Sequence, residues 1–208
     1  MVRPGMLLGI GTGSTARHFI AGLAGRDVVA VATSRASADQ ARALGVAVTD
    51  QPDRPLDLAV DGADEVDPAL SLVKGRGGAL FREKLVALAA RRFIVIADES
   101  KLVDRLAVGV VPVEVLGFLW RSTARRLEGL GCSWVLRGGE EAPFVTDNGN
   151  LVLDLTFPGG VRNPSALAHA LKETTGVCEH GLFVNLATAV ILAGPTSTRV
   201  LGDLDAKR

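Results

Sequence analysis

Four times within the first hundred residues a short apolar run ends in glycine or polar residues and gives way to a helical or loop segment. This alternation limits the available folds more than any other feature. Residues 6–10 are apolar and end in Gly9-Ile10-Gly11-Thr12-Gly13-Ser14-Thr15. Ala16, Phe19 and Leu23 follow at helical spacing, so a strand, a Gly-rich turn and a helix are expected in that order. Residues 28–32 are β-branched and suited to a strand buried on both faces, and residues 36–44 read as a helix stopped by Gly45. Residues 56–60 form a third strand, running into Asp61-Gly62-Ala63-Asp64-Glu65. A second Gly-rich turn at 75–78 precedes a helix over 79–92 with Phe81, Leu85 and Leu88 on one face. Residues 93–97 make a strand ending at Asp98. The pattern predicts an α/β fold, a Rossmann-like parallel sheet with helices on both faces. Its polar clusters fall at the carboxyl ends of the strands, where such sheets bind ligands.

Beyond residue 106 the pattern changes. Residues 108–115 read as a strand with an edge proline at Pro112. A helix follows over 123–130, a short strand over 132–136, and a hairpin over 144–155 turning at Asn148-Gly149. A last helix is expected over 164–171. These elements make a small inserted α+β, ferredoxin-like domain, so the expected division is 1–106 with 180–208 against 107–179. The apolar run 182–194 is expected to return to the first sheet.

Charge and composition narrow the function. Lys plus Arg and Asp plus Glu both total 23 among 208 residues, so no net field draws in nucleic acid or an anionic membrane. Aromatic residues are 4% and tyrosine is absent, which leaves no stacking platform for single strands. Cys132 and Cys178 form neither a CxxC pair nor a Cys/His cluster, a pattern of reduced thiols in a cytoplasmic protein. The opening residues do not read as a signal peptide, and no apolar stretch reaches the roughly 20 residues of a membrane span.

Four segments could carry chemistry. The first Gly-rich turn fails as a dinucleotide fingerprint, because Ser14 stands where a third glycine is needed. It offers backbone amides and the hydroxyls of Thr12, Ser14 and Thr15 at a helix start, which suits one phosphate. It equally suits a tight turn with Ser14 or Thr15 as an N-cap. Asp61, Asp64, Glu65 and Asp67 put four carboxylates at a strand end, for acid–base work, for sugar hydroxyls, or merely as a solvated acidic loop. Lys74-Gly75-Arg76-Gly77-Gly78 sets a cation beside an amide-rich turn, just before a helix carrying Glu83. Glu83 is a candidate base or a surface residue between Arg82 and Lys84. Lys101, after Asp98, could reach the same carboxyl edge. The histidines show no metal or triad spacing.

In this order and spacing the segments resemble one family, the A-type ribose-5-phosphate isomerases. The matching strings are Gly9-Ile10-Gly11-Thr12-Gly13-Ser14-Thr15-Ala16, Asp61-Gly62-Ala63-Asp64-Glu65-Val66-Asp67 and Lys74-Gly75-Arg76-Gly77-Gly78-Ala79-Leu80 with Arg82-Glu83-Lys84. Ala97-Asp98-Glu99-Ser100-Lys101, Pro112-Val113-Glu114-Val115, Thr146-Asp147-Asn148-Gly149-Asn150 and Gly181-Leu182-Phe183 continue the match to about residue 195. The resemblance implies an aldose–ketose isomerase interconverting D-ribose 5-phosphate and D-ribulose 5-phosphate through a cis-enediolate. It implies Glu83 as the base, Asp61 assisting ring opening, and Asp64 on sugar hydroxyls with Gly62 and Ala63 beside it. Lys74 and the amides of Gly75, Arg76 and Gly77 would hold the enediolate oxygen, and Thr12, Gly13, Ser14, Thr15 and Lys101 the phosphate. It implies no metal or organic cofactor, a small phosphosugar as the only ligand, a cytoplasmic location, and a homodimer or homotetramer.

Two departures carry expectations. Family members usually open with a helix ahead of the first strand, so an apolar patch or weaker phosphate binding is expected here. Arg76 stands where the family usually has glycine, and a positive φ there would strain the turn by about 1–2 kcal/mol. Three other readings compete. A sugar-phosphate sensor would need no base and is disfavoured by Glu83 with Lys74 and Asp61. An amino-sugar-phosphate deaminase would want a histidine in the acidic motif, and a dinucleotide oxidoreductase fails on the fingerprint.

Overall fold

Met6–Ile10 (β1) turns through residues 11–13 into Ser14–Ala21 (α1), and Val28–Ala32 (β2) leads to Arg35–Ala43 (α2). Ala47–Val48 (β3) and Leu58–Asp61 (β4) follow, then the short Glu65–Val66 (β5) and Leu72–Val73 (β6), Leu80–Ala89 (α3) and Phe93–Asp98 (β7). The rest of the chain forms Val111–Val115 (β8), Trp120–Glu128 (α4), Ser133–Leu136 (β9), Leu151–Thr156 (β10), Pro164–Glu173 (α5), Val177–His180 (β11) and Leu182–Phe183 (β12). Ala189–Ala193 (β13) and Thr198–Gly202 (β14) complete it. This computed structural model describes residues 1–207.

The chain folds as two units. The first holds Met1–Ala63, Arg82–Lys101 and the residues from Asn185 on, and the second holds Asp64–Phe81 and Leu102–Val184. The sequence divided the chain at 106/107 and 179/180. Residues 64–81 instead fold with the second unit, because β5 and β6 pair with β12 in a small sheet of their own.

In the first unit the strand order is β14-β13-β7-β4-β1-β2-β3. All pairings are parallel except β13 with β14, so the expected parallel sheet carries an antiparallel edge strand. Leu8, Ile10, Leu58, Val60 and Ile94 on one face bury against Ile20 of α1, Leu23 just beyond that helix and Ala41 of α2. The other face receives α3. A Cβ on Gly9 would lie 2.4 Å from Val86 Cγ1 and 2.8 Å from Ala59 Cβ, so glycine lets the helix sit down on the sheet. Helices therefore cover both faces, as expected. The phase of α3 differs from expectation: Leu80, Glu83, Lys84 and Ala87 are buried, while Leu85 and Leu88 are 55% and 54% exposed. The leucine spacing set one face and the packing chose another.

In the second unit β8-α4-β9-β10-α5-β11 gives a four-stranded sheet of order β11-β8-β10-β9, antiparallel throughout. This is the ferredoxin-like arrangement. Two expectations change here. Pro112 lies on an interior strand, second in β8, where its carbonyl still accepts from the Gly181 amide at 2.7 Å. The expected hairpin has only one arm, since residues 144–145 contribute a single bridge from Val145 to Leu151. Thr146 diverts the chain: its hydroxyl accepts from the amides of Asn148 and Asn150 and donates to the buried Glu114. The run 182–194 likewise splits between β12 and β13. No helix among the described residues is long and apolar enough to cross a membrane.

Candidate active site

Three neighbouring parallel strands of the first unit, β7, β4 and β1, end side by side. Their carboxyl ends carry Lys101, Asp61 and residues 11–15, so three of the four predicted segments meet on one sheet edge. Asp61 is the last residue of β4 and is buried; its Oδ1 accepts from the amides of Thr12 at 3.1 Å and Gly62 at 2.7 Å. A Cβ on Gly11 would fall 1.9 Å from that oxygen, so the glycine is required by the carboxylate.

The start of α1 bears on the N-cap reading of the first turn. Gly13, at φ 109°, is the N-cap and no side chain caps the helix, so neither Ser14 nor Thr15 takes the structural role. Gly13, Ser14 and Thr15 are exposed and leave the helix start open to an anion. Thr12 is different. Its Oγ1 lies 2.7 Å from Thr33 Oγ1 and 3.2 Å from Ser37 Oγ, and it donates to Ser34 Oγ at 2.8 Å. The Ser37 hydroxyl in turn donates to the Gly11 carbonyl at 2.7 Å. Thr12 thus braces the turn through its hydroxyl and offers a ligand less than its neighbours do. No expectation from the sequence covered this hydroxyl cluster; Ser34, the N-cap of α2, is the one residue whose type and place could have pointed to it.

Past β7, the hydroxyl of Ser100 donates to Asp98, and its amide does so at 3.0 Å. These bonds, led by the hydroxyl and aided by the nearby Lys101 charge, hold the Asp98 carboxyl below its ordinary range. Lys101 closes the single helical turn Glu99–Lys101 and is half-buried. Glu83, in the first turn of α3, is only 4% exposed. This burial removes the reading of Glu83 as surface decoration.

The second unit holds the other predicted residues. Of the acidic run, Glu65 and Asp67 are structural. Glu65 is buried and accepts from the amides of Ala107 at 2.5 Å and Gly109 at 2.8 Å. Asp67 accepts from Ala69 and Ser71. Asp64 remains partly exposed, with the Arg76 amide on its Oδ2 at 3.0 Å. Lys74 is 3% exposed; its amide donates to the Gly181 carbonyl at 2.8 Å and its Nζ lies 5.5 Å from the centre of the Phe183 ring. The turn takes positive φ at Gly75 (110°) and Gly78 (76°) but not at Arg76. Arg76 therefore costs no strain, and its side chain, 57% exposed, points to solvent with Asp64 Oδ1 3.9 Å from its Nε. Arg137 and Asp154 also belong to this turn. The Arg137 guanidinium donates to the carbonyls of Gly75 and Arg76 while Asp154 holds it in a two-bond fork. No sequence spacing tied these residues to the turn.

The chain and its fold have counterparts among known proteins. Residues 29–197 match the family described as ribose 5-phosphate isomerase A (phosphoriboisomerase A). The chain belongs to that family. The ribose-5-phosphate isomerase A of a Synechococcus strain is 47% identical over 210 residues, which cover 96% of this chain and 91% of the relative. That of Roseiflexus castenholzii is 48% identical over 217 residues, covering 100% and 92%. Among solved structures, the ribose 5-phosphate isomerase of Plasmodium falciparum superposes with a TM-score of 0.92 at 34% identity, over 98% of this chain and 93% of that one. A D-ribose-5-phosphate isomerase in complex with phospho-erythronic acid gives 0.92 at 37% identity, over 97% and 93%. The family's reaction interconverts ribose 5-phosphate and ribulose 5-phosphate, and members are isomerases acting on a phosphosugar. The fold and the reaction implied by the sequence strings are those of the family.

Proposed function

We propose that this isomerase moves one proton between C1 and C2 of its pentose phosphate through a cis-enediolate, with Glu83 as the base. The observation that carries this reading is the burial of Glu83 in the first turn of α3, since carboxylates are seldom buried outside ion pairs and sites of chemistry. Asp61 assists opening of the sugar ring. In the open aldose, the Glu83 carboxylate takes the proton from C2, the electron pair forms the C1–C2 double bond, and the aldehyde oxygen becomes an oxyanion. Glu83 then returns the proton to C1. The C2 hydroxyl gives up its proton as the ketone forms, and the oxygen on C1 receives one.

Lys74 with the amides of the 75–77 turn stabilises the oxyanion, a role worth a few kcal/mol in water-poor sites. Asp64, with Gly62 and Ala63 beside it, orients sugar hydroxyls. Gly13, Ser14 and Thr15 with Lys101 hold the phosphate, and Thr12 keeps their turn in shape. Phosphate binding energy remote from the reacting carbons positions them for the proton transfer. The base, the cation and the amides supply a complete path with no step assigned to a metal or organic cofactor. The half-buried and buried free thiols Cys178 and Cys132 suit a reducing cytoplasm, and we place the protein there as a homodimer or homotetramer.

The test is turnover of ribose 5-phosphate by purified protein with a chelator present, beside Glu83→Gln. Turnover that survives the chelator and falls roughly 10²–10⁴-fold in the variant is expected for a positioned base. Undiminished turnover in folded Glu83→Gln would overturn the assignment.

A further inference from the structure

Oxyanion stabilisation by the 74–78 turn depends on where its N–H groups point, and the residues that decide this lie outside the turn. The Arg137 Nη1 donates to the Gly75 carbonyl at 2.9 Å and to the Arg76 carbonyl at 3.1 Å. The guanidinium cannot turn away. Its Nε and Nη2 donate to Asp154 Oδ2 at 2.9 Å and Oδ1 at 2.5 Å, a two-point fork. Both side chains of the pair are largely buried, at 17% and 20% exposed. Phe144 closes the other side. Its ring centre lies 5.8 Å from the guanidinium carbon, its amide donates to the Arg137 carbonyl at 2.8 Å, and its ring fills the place a Cβ on Gly78 would take.

A trans peptide is planar, with the carbonyl of one residue and the N–H of the next pointing in opposite directions. Drawing the Gly75 carbonyl to Arg137 therefore aims the Arg76 N–H the other way, and this is the N–H that meets Asp64 Oδ2 at 3.0 Å. Drawing the Arg76 carbonyl to Arg137 aims the Gly77 N–H away from the guanidinium in the same manner. Among the described residues the Gly77 amide meets no hydrogen-bond acceptor, so it stays available to a ligand oxygen. The positive charge on the two carbonyls also polarises both peptide groups and strengthens their N–H donors.

We infer that the Arg137–Asp154 pair is a positioning device for the isomerisation, one guanidinium setting both the oxyanion-binding amide of Gly77 and the sugar-binding carboxylate of Asp64. Neither Arg137 nor Asp154 touches the reacting atoms. Lysine cannot substitute, because it lacks the planar fork that lets one group hold a carboxylate and two carbonyls together. The inference rests on the proposed isomerase mechanism, so its test includes an arm independent of turnover.

The experiment compares wild type with Arg137→Ala, Arg137→Lys and the near-isosteric Asp154→Asn, after thermal unfolding has shown which variants are folded. For the folded variants kcat is expected to fall roughly 10–100-fold while KM changes less than about threefold, because the phosphate anchor is untouched. Guanidinium ion in the assay is expected to restore part of kcat to Arg137→Ala and none to Arg137→Lys, where the new side chain fills the space. The second arm follows amide hydrogen exchange at Arg76 and Gly78, whose N–H groups bond to Asp64 and to the Gly75 carbonyl. Exchange there is expected to quicken in Arg137→Ala and Asp154→Asn. Wild-type kcat in folded Arg137→Ala, or unchanged exchange at Arg76 and Gly78, would overturn the inference. A wild type without turnover would remove the isomerase reading, and the exchange rates would still decide whether Arg137 sets the turn.

Discussion

Gly11, Arg76 and Glu83 show how far single residues determine this site. Gly11 leaves room for the Asp61 carboxylate, whose Oδ1 would lie 1.9 Å from any Cβ there. Gly11→Ala is expected to destabilise the protein by about 1–3 kcal/mol and to cut kcat more than tenfold, read by urea unfolding and steady-state kinetics. Arg76 runs the other way. With its φ outside the left-handed region, Arg76→Gly only loosens the unfolded chain, so a loss of about 0.5–1 kcal/mol with kcat within threefold is expected. From the sequence, Arg76 stood as a possible strain and Glu83 as a residue between two cations with no mark of burial. Burial depends on the phase of α3, which the spacing of Phe81, Leu85 and Leu88 misjudged. The acidic run was similar: nothing in its composition separated Asp61 and Asp64, to which we assign chemistry, from Glu65, which braces the amides of Ala107 and Gly109, and Asp67, which braces those of Ala69 and Ser71.

Among the elements, the apolar strands β1, β2 and β7 were legible because their apolar runs, interrupted only by Gly9 in β1, have few other solutions. The two-residue strands β3, β5 and β6 left no such trace, since runs this short carry no periodicity and exist only through their pairing, β3 with β2, β5 with β6, and β6 also with the distant β12. The stretch before β10 was misread for a related reason. Asn148-Gly149 is a turn, with Gly149 at φ 82°, but the loop is held by a side chain far away in sequence. Oε1 of Glu114, fully buried in β8, accepts from Thr146 Oγ1 at 3.0 Å, Asn148 Nδ2 at 3.0 Å and Asn150 Nδ2 at 2.8 Å. Glu114→Leu would leave these donors without their common acceptor, and a loss of about 3 kcal/mol in chemical denaturation is expected. A change below about 0.5 kcal/mol would show that the loop is held by other contacts.

For the whole molecule, strand–helix alternation followed by a strand, helix, short strand, hairpin and helix was enough to give both architectures, a Rossmann-like sheet and a ferredoxin-like insert. The allocation of residues 64–81 to the second unit was not legible, because it rests on β12 pairing back to β6 across the insert. With charge balanced at 23 against 23, no net field draws in a phosphate, and our proposal gives that attraction to the local groups at the start of α1 and to Lys101. Lys101→Ala is accordingly expected to raise KM roughly tenfold, about the worth of one charge-assisted contact, with kcat little changed; an unaltered KM would move the phosphate elsewhere. The central claim, a single carboxylate carrying the proton between C1 and C2, is tested most directly in D₂O. Ribose 5-phosphate incubated with wild type should yield ribulose 5-phosphate with deuterium at C1, seen by NMR, while folded Glu83→Gln should give neither product nor label. Label and product at the wild-type rate in folded Glu83→Gln would contradict the account.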